Sequence, residues 1–201
     1  MSDLIYQRTV IAYHGCDDSV AKGVLSRGKP LAPSRNEYDW LGRGIYFWEH
    51  GPQRALEWAQ SQAVARRGVH KPAVLGAIIH LGNCFDLLDT AYTQLLGRLF
   101  PLFCEACNTE QIPIPENLPA SGEAAGDLIR RHLDCAVLNW SIDAWEKTER
   151  LHFHTVRAVF TEGAPAFPGA KIMSKSHIQI AVRDSAAIVG YFKPQIDKVI
   201  N

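Results

Sequence analysis

The chain carries no net charge: 21 lysines and arginines are balanced by 21 aspartates and glutamates. Bulk charge therefore gives no sign of a nucleic-acid or anionic-membrane partner, and the local pairs Arg66-Arg67 and Arg130-Arg131 read as solvated helix faces or ends. Long apolar runs are also missing. The longest, around Ala73 to Leu81, contains His80 and falls far short of the roughly 20 residues that span a bilayer. The first residues, Met1 to Arg8, lack a basic start followed by an apolar stretch. No secretory signal is read there, and a cytoplasmic protein with no membrane partner is expected. Cysteine occurs an odd number of times, five, which argues against a disulfide framework. Cys104 and Cys107 have the spacing of half a zinc knuckle. The second half on offer, His132 and Cys135, is atypically spaced in a region that reads as helical, so thiols and no metal are expected. No internal repeat is found.

What is present is apolar residue enough for a sizeable core, 47% of a 201-residue chain. Residues 1–201 read as one domain. Val10 to His14 reads as a strand ending at Gly15. A helix follows, with Val20, Val24 and Leu25 on one face and Gly28 in the C-terminal stop position. Lys29 to Asp39 is a polar loop. Gly44 to Trp48 is a short strand whose alternation sends Tyr46 and Trp48 one way and Ile45 and Phe47 the other. Pro52 opens a helix that closes at Arg66, Arg67 and Gly68. Ala73 to Leu81 is a central strand. Thr90 to Cys107 reads as a helix, Ile112 to Pro119 as a Pro-rich connection, and Gly126 to Lys147 as one long helix or two. This helical block, about 90–150, looks inserted between sheet strands. Val156 to Phe160, Ser176 to Val182 and Tyr191-Phe192 are further strands. In Ser176 to Val182, residues Ile178, Ile180 and Val182 face the core, while His177, Gln179 and Ala181 face the other way. The fold class is α+β.

Two short segments carry chemistry. In Ala12-Tyr-His-Gly-Cys16, His14 leaves an apolar strand at a glycine. In Leu41-Gly-Arg-Gly-Ile-Tyr-Phe47, Tyr46 follows two glycines that permit close backbone approach to a ligand or suit a bulge. Together they offer a hydrogen-bonding wall and a flat aromatic wall for a cationic ring. Such a ring over a tyrosine face gains on the order of 1 kcal/mol when water is excluded.

Tyr13 to Gly28, with Leu31-Ala-Pro33 and then Leu41 to Phe47, resembles the catalytic domain of poly(ADP-ribose) polymerases, in the diphtheria-toxin branch of ADP-ribosyltransferases. The resemblance covers Tyr13 to about Trp58. It implies a split pair of antiparallel sheets, a β-sandwich with flanking helices, that holds NAD as co-substrate. His14 would hydrogen-bond a ribose hydroxyl, the backbone of Gly15 would grip the nicotinamide carboxamide, and Tyr46 would stack on nicotinamide. Among basic residues, Arg35 and Arg54 are assigned to the cofactor, with Arg43 nearby; Arg54 lies near where the family has a serine for the carboxamide. Trp58 is read either as a second stacking platform or as a core aromatic.

The third position departs from the family. Gln179 stands where it often has glutamate, in Ser176-His-Ile-Gln-Ile-Ala-Val182. Glutamine accepts a hydrogen bond but is not a base and stabilises a cation less well than a carboxylate. This argues against polymer formation and leaves mono-transfer, NAD hydrolysis or inactivity. Glu49, Glu162 or the acceptor itself are the candidate substitutes, and His177 a candidate local base. His14, Tyr46 and Gln179 are thus the expected catalytic set. The expected activity is mono-ADP-ribosyl transfer from NAD to a protein, RNA or DNA acceptor. The compact chain suggests a bacterial toxin or effector, with an antitoxin protein as partner. The alternatives are a weak or inactive NAD- or ADP-ribose-binding module and a related RNA 2′-phosphotransferase. The loop Gly163 to Ala170, just before the third strand, is a candidate acceptor-selecting element.

Overall fold

The computed structural model describes residues 8–119, 128 and 130–196. Its strands are β1 (Thr9–Asp17), β2 (Ile45–Glu49), β3 (Pro72–His80), β4 (Cys84–Asp86), β5 (Asn117–Leu118), β6 (Arg130–Arg131), β7 (Thr155–Phe160), β8 (His177–Val182) and β9 (Ile188–Phe192). Its helices are α1 (Asp18–Arg27), α2 (Pro52–Val64), α3 (Thr90–Glu110) and α4 (His132–Glu149). The fold is α+β, as composition and pattern predict. Among the described residues, no helix is long and apolar enough to cross a membrane.

Seven strands form one sheet in the order β4-β7-β8-β2-β1-β3-β9, and β5 and β6 form a separate ribbon. The large sheet is antiparallel except at one edge, where β4 runs parallel to β7. That pair departs from the all-antiparallel expectation. The α3–α4 hairpin makes it feasible, because a parallel pair needs a long crossover.

Local signals explain most boundaries. The Asp17 carboxylate accepts backbone N–H groups from Lys71, Ser19 and His70, which holds it far below the ordinary carboxylate range and caps α1. Gly28 stops α1 in the left-handed region at φ 61°. β1 does not end at Gly15; its ladder with β3 runs from Thr9↔His80 to Asp17↔Pro72. The long helix read from Gly126 begins instead at His132, and Gly126 itself lies outside the described residues.

Alternation sorts the core. Val10, Ala12, Phe47, Leu75, Ala77, Ile180 and Val182 pack with Ala21 and Val24 of α1 on one face. On the other, Phe85, Val156, Ala158 and Ala181 pack with Leu95 and Leu99 of α3 and Leu138 and Ile142 of α4. Beside them α2 sets Ala55 against Trp48 and Val74. The helical block therefore supplies part of the core.

The register leaves one defect. β1 meets β2 only at Ala12↔Glu49 and Tyr13↔Trp48, whereas β2 pairs with β8 along all five residues, Ile45↔Val182 to Glu49↔Ile178. The two central strands part beyond that short seam.

Candidate functional site

A cleft of about 400 Å³ opens at this parting. Its floor is the β2–β8 face. Tyr46 lies opposite Ala181 and Trp48 opposite Gln179, so the side chains that alternation assigned to a shared face do share it. The β7 register adds Phe160 opposite His177. Trp58, Gln62 and Arg54 of α2 line one side, and Ser34, Asn36, Asp39 and Trp40 of the loop between α1 and β2 line the other.

His14 reaches the cleft by an unusual route. Alternation puts it on the α1 face, in register with Leu75. Because β1 and β2 have parted, its ring spans the gap, where Nδ1 lies 2.8 Å from the Tyr46 carbonyl oxygen. A carbonyl only accepts, so Nδ1 carries the hydrogen and Nε2 keeps its lone pair. Burial lowers the His14 pKa against this hydrogen bond, so the ring is held neutral.

Tyr46 offers a face, not an acid. Its hydroxyl accepts from the Leu41 N–H at 3.0 Å and donates to the Gly42 carbonyl at 2.7 Å. Burial pushes its pKa well above the ordinary tyrosine value. The hydroxyl thus pins the loop that precedes its own strand. Replacing Tyr46 with phenylalanine should leave the aromatic wall in place and cost about 1–3 kcal/mol of stability, since two backbone groups lose their partner. Urea unfolding checks this.

Gln179 accepts the indole N–H of Trp40 at 2.5 Å through Oε1. An indole only donates, so this bond fixes the amide with its oxygen toward Trp40. Sequence reading missed Trp40 because it lies in a loop without periodicity. The available signal was its place directly before Leu41-Gly42, next to the Tyr46 motif. Phe160 was missed too, although alternation along Val156, Ala158 and Phe160 puts it on the cleft face. Phe160 packs 4.8 Å from Trp40 and 5.6 Å from His177, centroid to centroid.

The other predicted residues divide. Gly15 lines the cleft, and a Cβ there would meet the Ala55 carbonyl oxygen at 2.2 Å, so glycine is what lets α2 approach β1. Arg54 lines it too, but its guanidinium is engaged by Glu57 at 3.0 Å and Glu162 at 2.9 Å. Glu162 is therefore present as a carboxylate, paired with Arg54. Trp58 is 37% exposed at the cleft wall and packs on Trp48, with features of both readings given to it.

Glu49 does not serve the cleft, which corrects its candidacy as a substitute carboxylate. It belongs to the opposite face and is buried against Arg157, at 2.6 and 3.0 Å, with Asp86 completing the group at 3.0 Å from Arg157. Strand alternation already separates it from Tyr46 and Trp48. Arg35 is not brought to this cleft either. It lines a neighbouring cavity of about 780 Å³, with Phe103, Ile112, Cys135 and Trp140. Arg43 lines that same cavity and is held by Asp143. Asn36 borders both spaces.

No protein-family model matches the chain, and no solved structure matches it. The chain is similar to an uncharacterized protein of Methanocaldococcus jannaschii, at 26% identity over 151 residues, which is 74% of this chain and 63% of that protein. The chain thus spans less than two thirds of that relative's length.

Proposed function

We propose that this protein binds NAD in the cleft at the parted strands and acts as a mono-ADP-ribosyltransferase that releases nicotinamide. The sheet on either side of the parting would serve as the split sandwich of that family. The observation that carries the reading is the meeting of His14, Tyr46 and Gln179, distant in sequence, around one cleft. A cleft of this size lies in the range of small-molecule sites, and its aromatic walls with a few fixed polar groups suit a flat cationic ring. His14 Nε2, kept as an acceptor, would take a hydrogen bond from a ribose hydroxyl. Cleavage of the glycosidic bond would develop positive charge on the ribose, as in glycoside hydrolysis.

One observation favours a second reading, a binding module with weak chemistry. Gln179 is an amide, not a carboxylate, and its Oε1 is already engaged by the Trp40 indole N–H.

The test is calorimetry with NAD beside mass spectrometry of nicotinamide release and of ADP-ribose adducts in a cell extract. His14→Ala and Tyr46→Ala should each weaken NAD binding about tenfold, the worth of one hydrogen bond or one cation–π contact. Binding without nicotinamide release would favour the module, and no binding would overturn the reading.

A further inference from the structure

The pyrophosphate of NAD is negatively charged, so a cleft that holds it needs a cation free to meet it. The basic residues lining the cleft are Arg54, Arg67, His14 and His177. Burial lowers the pKa of both histidines, so their rings are neutral at pH 7. Arg54 is neutralised by Glu57 and Glu162. Arg35, assigned to the cofactor by the resemblance, lines the neighbouring cavity instead. Arg67 has no acidic partner among the described residues, and it is exposed to an incoming ligand.

The end of α2 brings Arg67 to the cleft. Arg54, Trp58 and Gln62 recur every four residues and share the helix face that lines it. Beyond Val64 the chain turns back. The Arg66 N–H donates to the Ala63 carbonyl at 3.1 Å, and the Arg67 N–H to the Gln62 carbonyl at 2.9 Å. This pair of bonds ends a helix through a left-handed residue, usually glycine. Here that residue is Arg66, at φ 55°, an uncommon conformation where a Cβ is present. The turn separates two adjacent arginines: Arg67 lines the cleft and Arg66 does not. The cap also occupies the last-turn carbonyls, Ser61 being taken by the Ala65 N–H at 3.0 Å, so no guanidinium is needed there.

We propose that Arg67 is the phosphate subsite of the cleft: its guanidinium binds the pyrophosphate of the dinucleotide and fixes the direction in which the ligand lies along α2. This rests on the NAD reading above. Arg67 stands outside the stretch that carries the family resemblance, which ends at about Trp58. In the NAD reading nicotinamide lies at Gly15 and Tyr46, and Gly15 faces Ala55, near the start of α2. From Ala55 to the helix end at Val64 is about 13 Å of axis. Nicotinamide and pyrophosphate are separated by one ribose, so a dinucleotide lying along α2 carries its phosphates toward the end that Arg67 occupies. A planar guanidinium pairs two phosphate oxygens at once. Across the cleft stands the Asp39 carboxylate, held by the Asn36 N–H at 3.2 Å, which repels phosphate and favours the α2 side.

The test is calorimetry of the wild type, Arg67→Gln and Arg66→Gln with NAD, ADP-ribose and nicotinamide. Arg67→Gln should weaken NAD and ADP-ribose about tenfold each, the worth of one charge-assisted hydrogen bond, and leave nicotinamide within about twofold. Arg66→Gln should leave all three ligands within about twofold, because its charge is next door but off the cleft. Equal losses in the two variants would mean a general field and overturn the subsite, as would a loss for nicotinamide as large as that for NAD. Unchanged NAD affinity in Arg67→Gln overturns the subsite and leaves the NAD reading standing. A wild type that binds ADP-ribose through Arg67 but not NAD overturns the NAD reading and leaves the subsite. Binding of neither overturns both.

Discussion

Exchange of Gln179 for glutamate should speed nicotinamide release about 10²-fold. The indole N–H of Trp40 holds an oxygen at position 179, and a carboxylate supplies that oxygen as readily as an amide. The difference lies in the second atom. In the wild type it is an NH₂ group, whose hydrogens carry partial positive charge and do nothing for the proposed ribose cation. In the variant it is a carboxylate oxygen. A unit charge about 4 Å from a developing cation is worth about 4 kcal/mol at an effective dielectric constant of 20, and keeping two thirds of that gives the stated gain. Steady-state nicotinamide release at saturating NAD measures it. An unchanged rate would mean that position 179 is remote from the reacting carbon, and the proposed NAD pose would fall with it.

Truncation of Arg157 to alanine should cost about 3–5 kcal/mol, a large share of the stability of an ordinary domain. Arg157 is buried and bridges Glu49 on β2 to Asp86 on β4, and its loss would leave the buried Asp86 unpaired and Glu49 with only the exposed Arg8 side chain, 3.7 Å away. The urea midpoint reports the effect. Replacing all three residues together by leucine or methionine should recover most of the loss, because well-packed apolar groups often match a buried ion group. If the single variant unfolds at the wild-type midpoint, this group is not what fixes the depth of β2. The strand it clamps is the one that presents Tyr46 and Trp48.

Much of this was legible beforehand, and the reasons are local. The period of two put Tyr46 with Trp48 and His177 with Gln179, and the register of β2 on β8 keeps those pairs on one face. Gly28 and Pro52 punctuate helices where their backbone preferences suit. What escaped depended on long-range pairing. β4 is three residues long, too short for a pattern, and exists because β7 runs beside it. β1 passes through Gly15 because β3 pairs with it to the end. Trp40 was hidden because loop geometry follows from anchors such as the Tyr46 hydroxyl rather than from periodicity. The route of His14 into the cleft was unreadable for a different reason: by alternation it belongs to the other face, and only the brevity of the β1–β2 seam admits it.

That seam turns the middle of a sheet into an edge. Strand edges elsewhere expose unpaired backbone groups, and proteins guard them against pairing with a neighbouring chain. Here the unpaired stretch lines a cleft between α2 and the loop that bears Trp40, where the proposed nicotinamide amide would meet backbone rather than a neighbouring strand. An interrupted ladder thus leaves hydrogen-bonding capacity inside the sheet instead of at its rim.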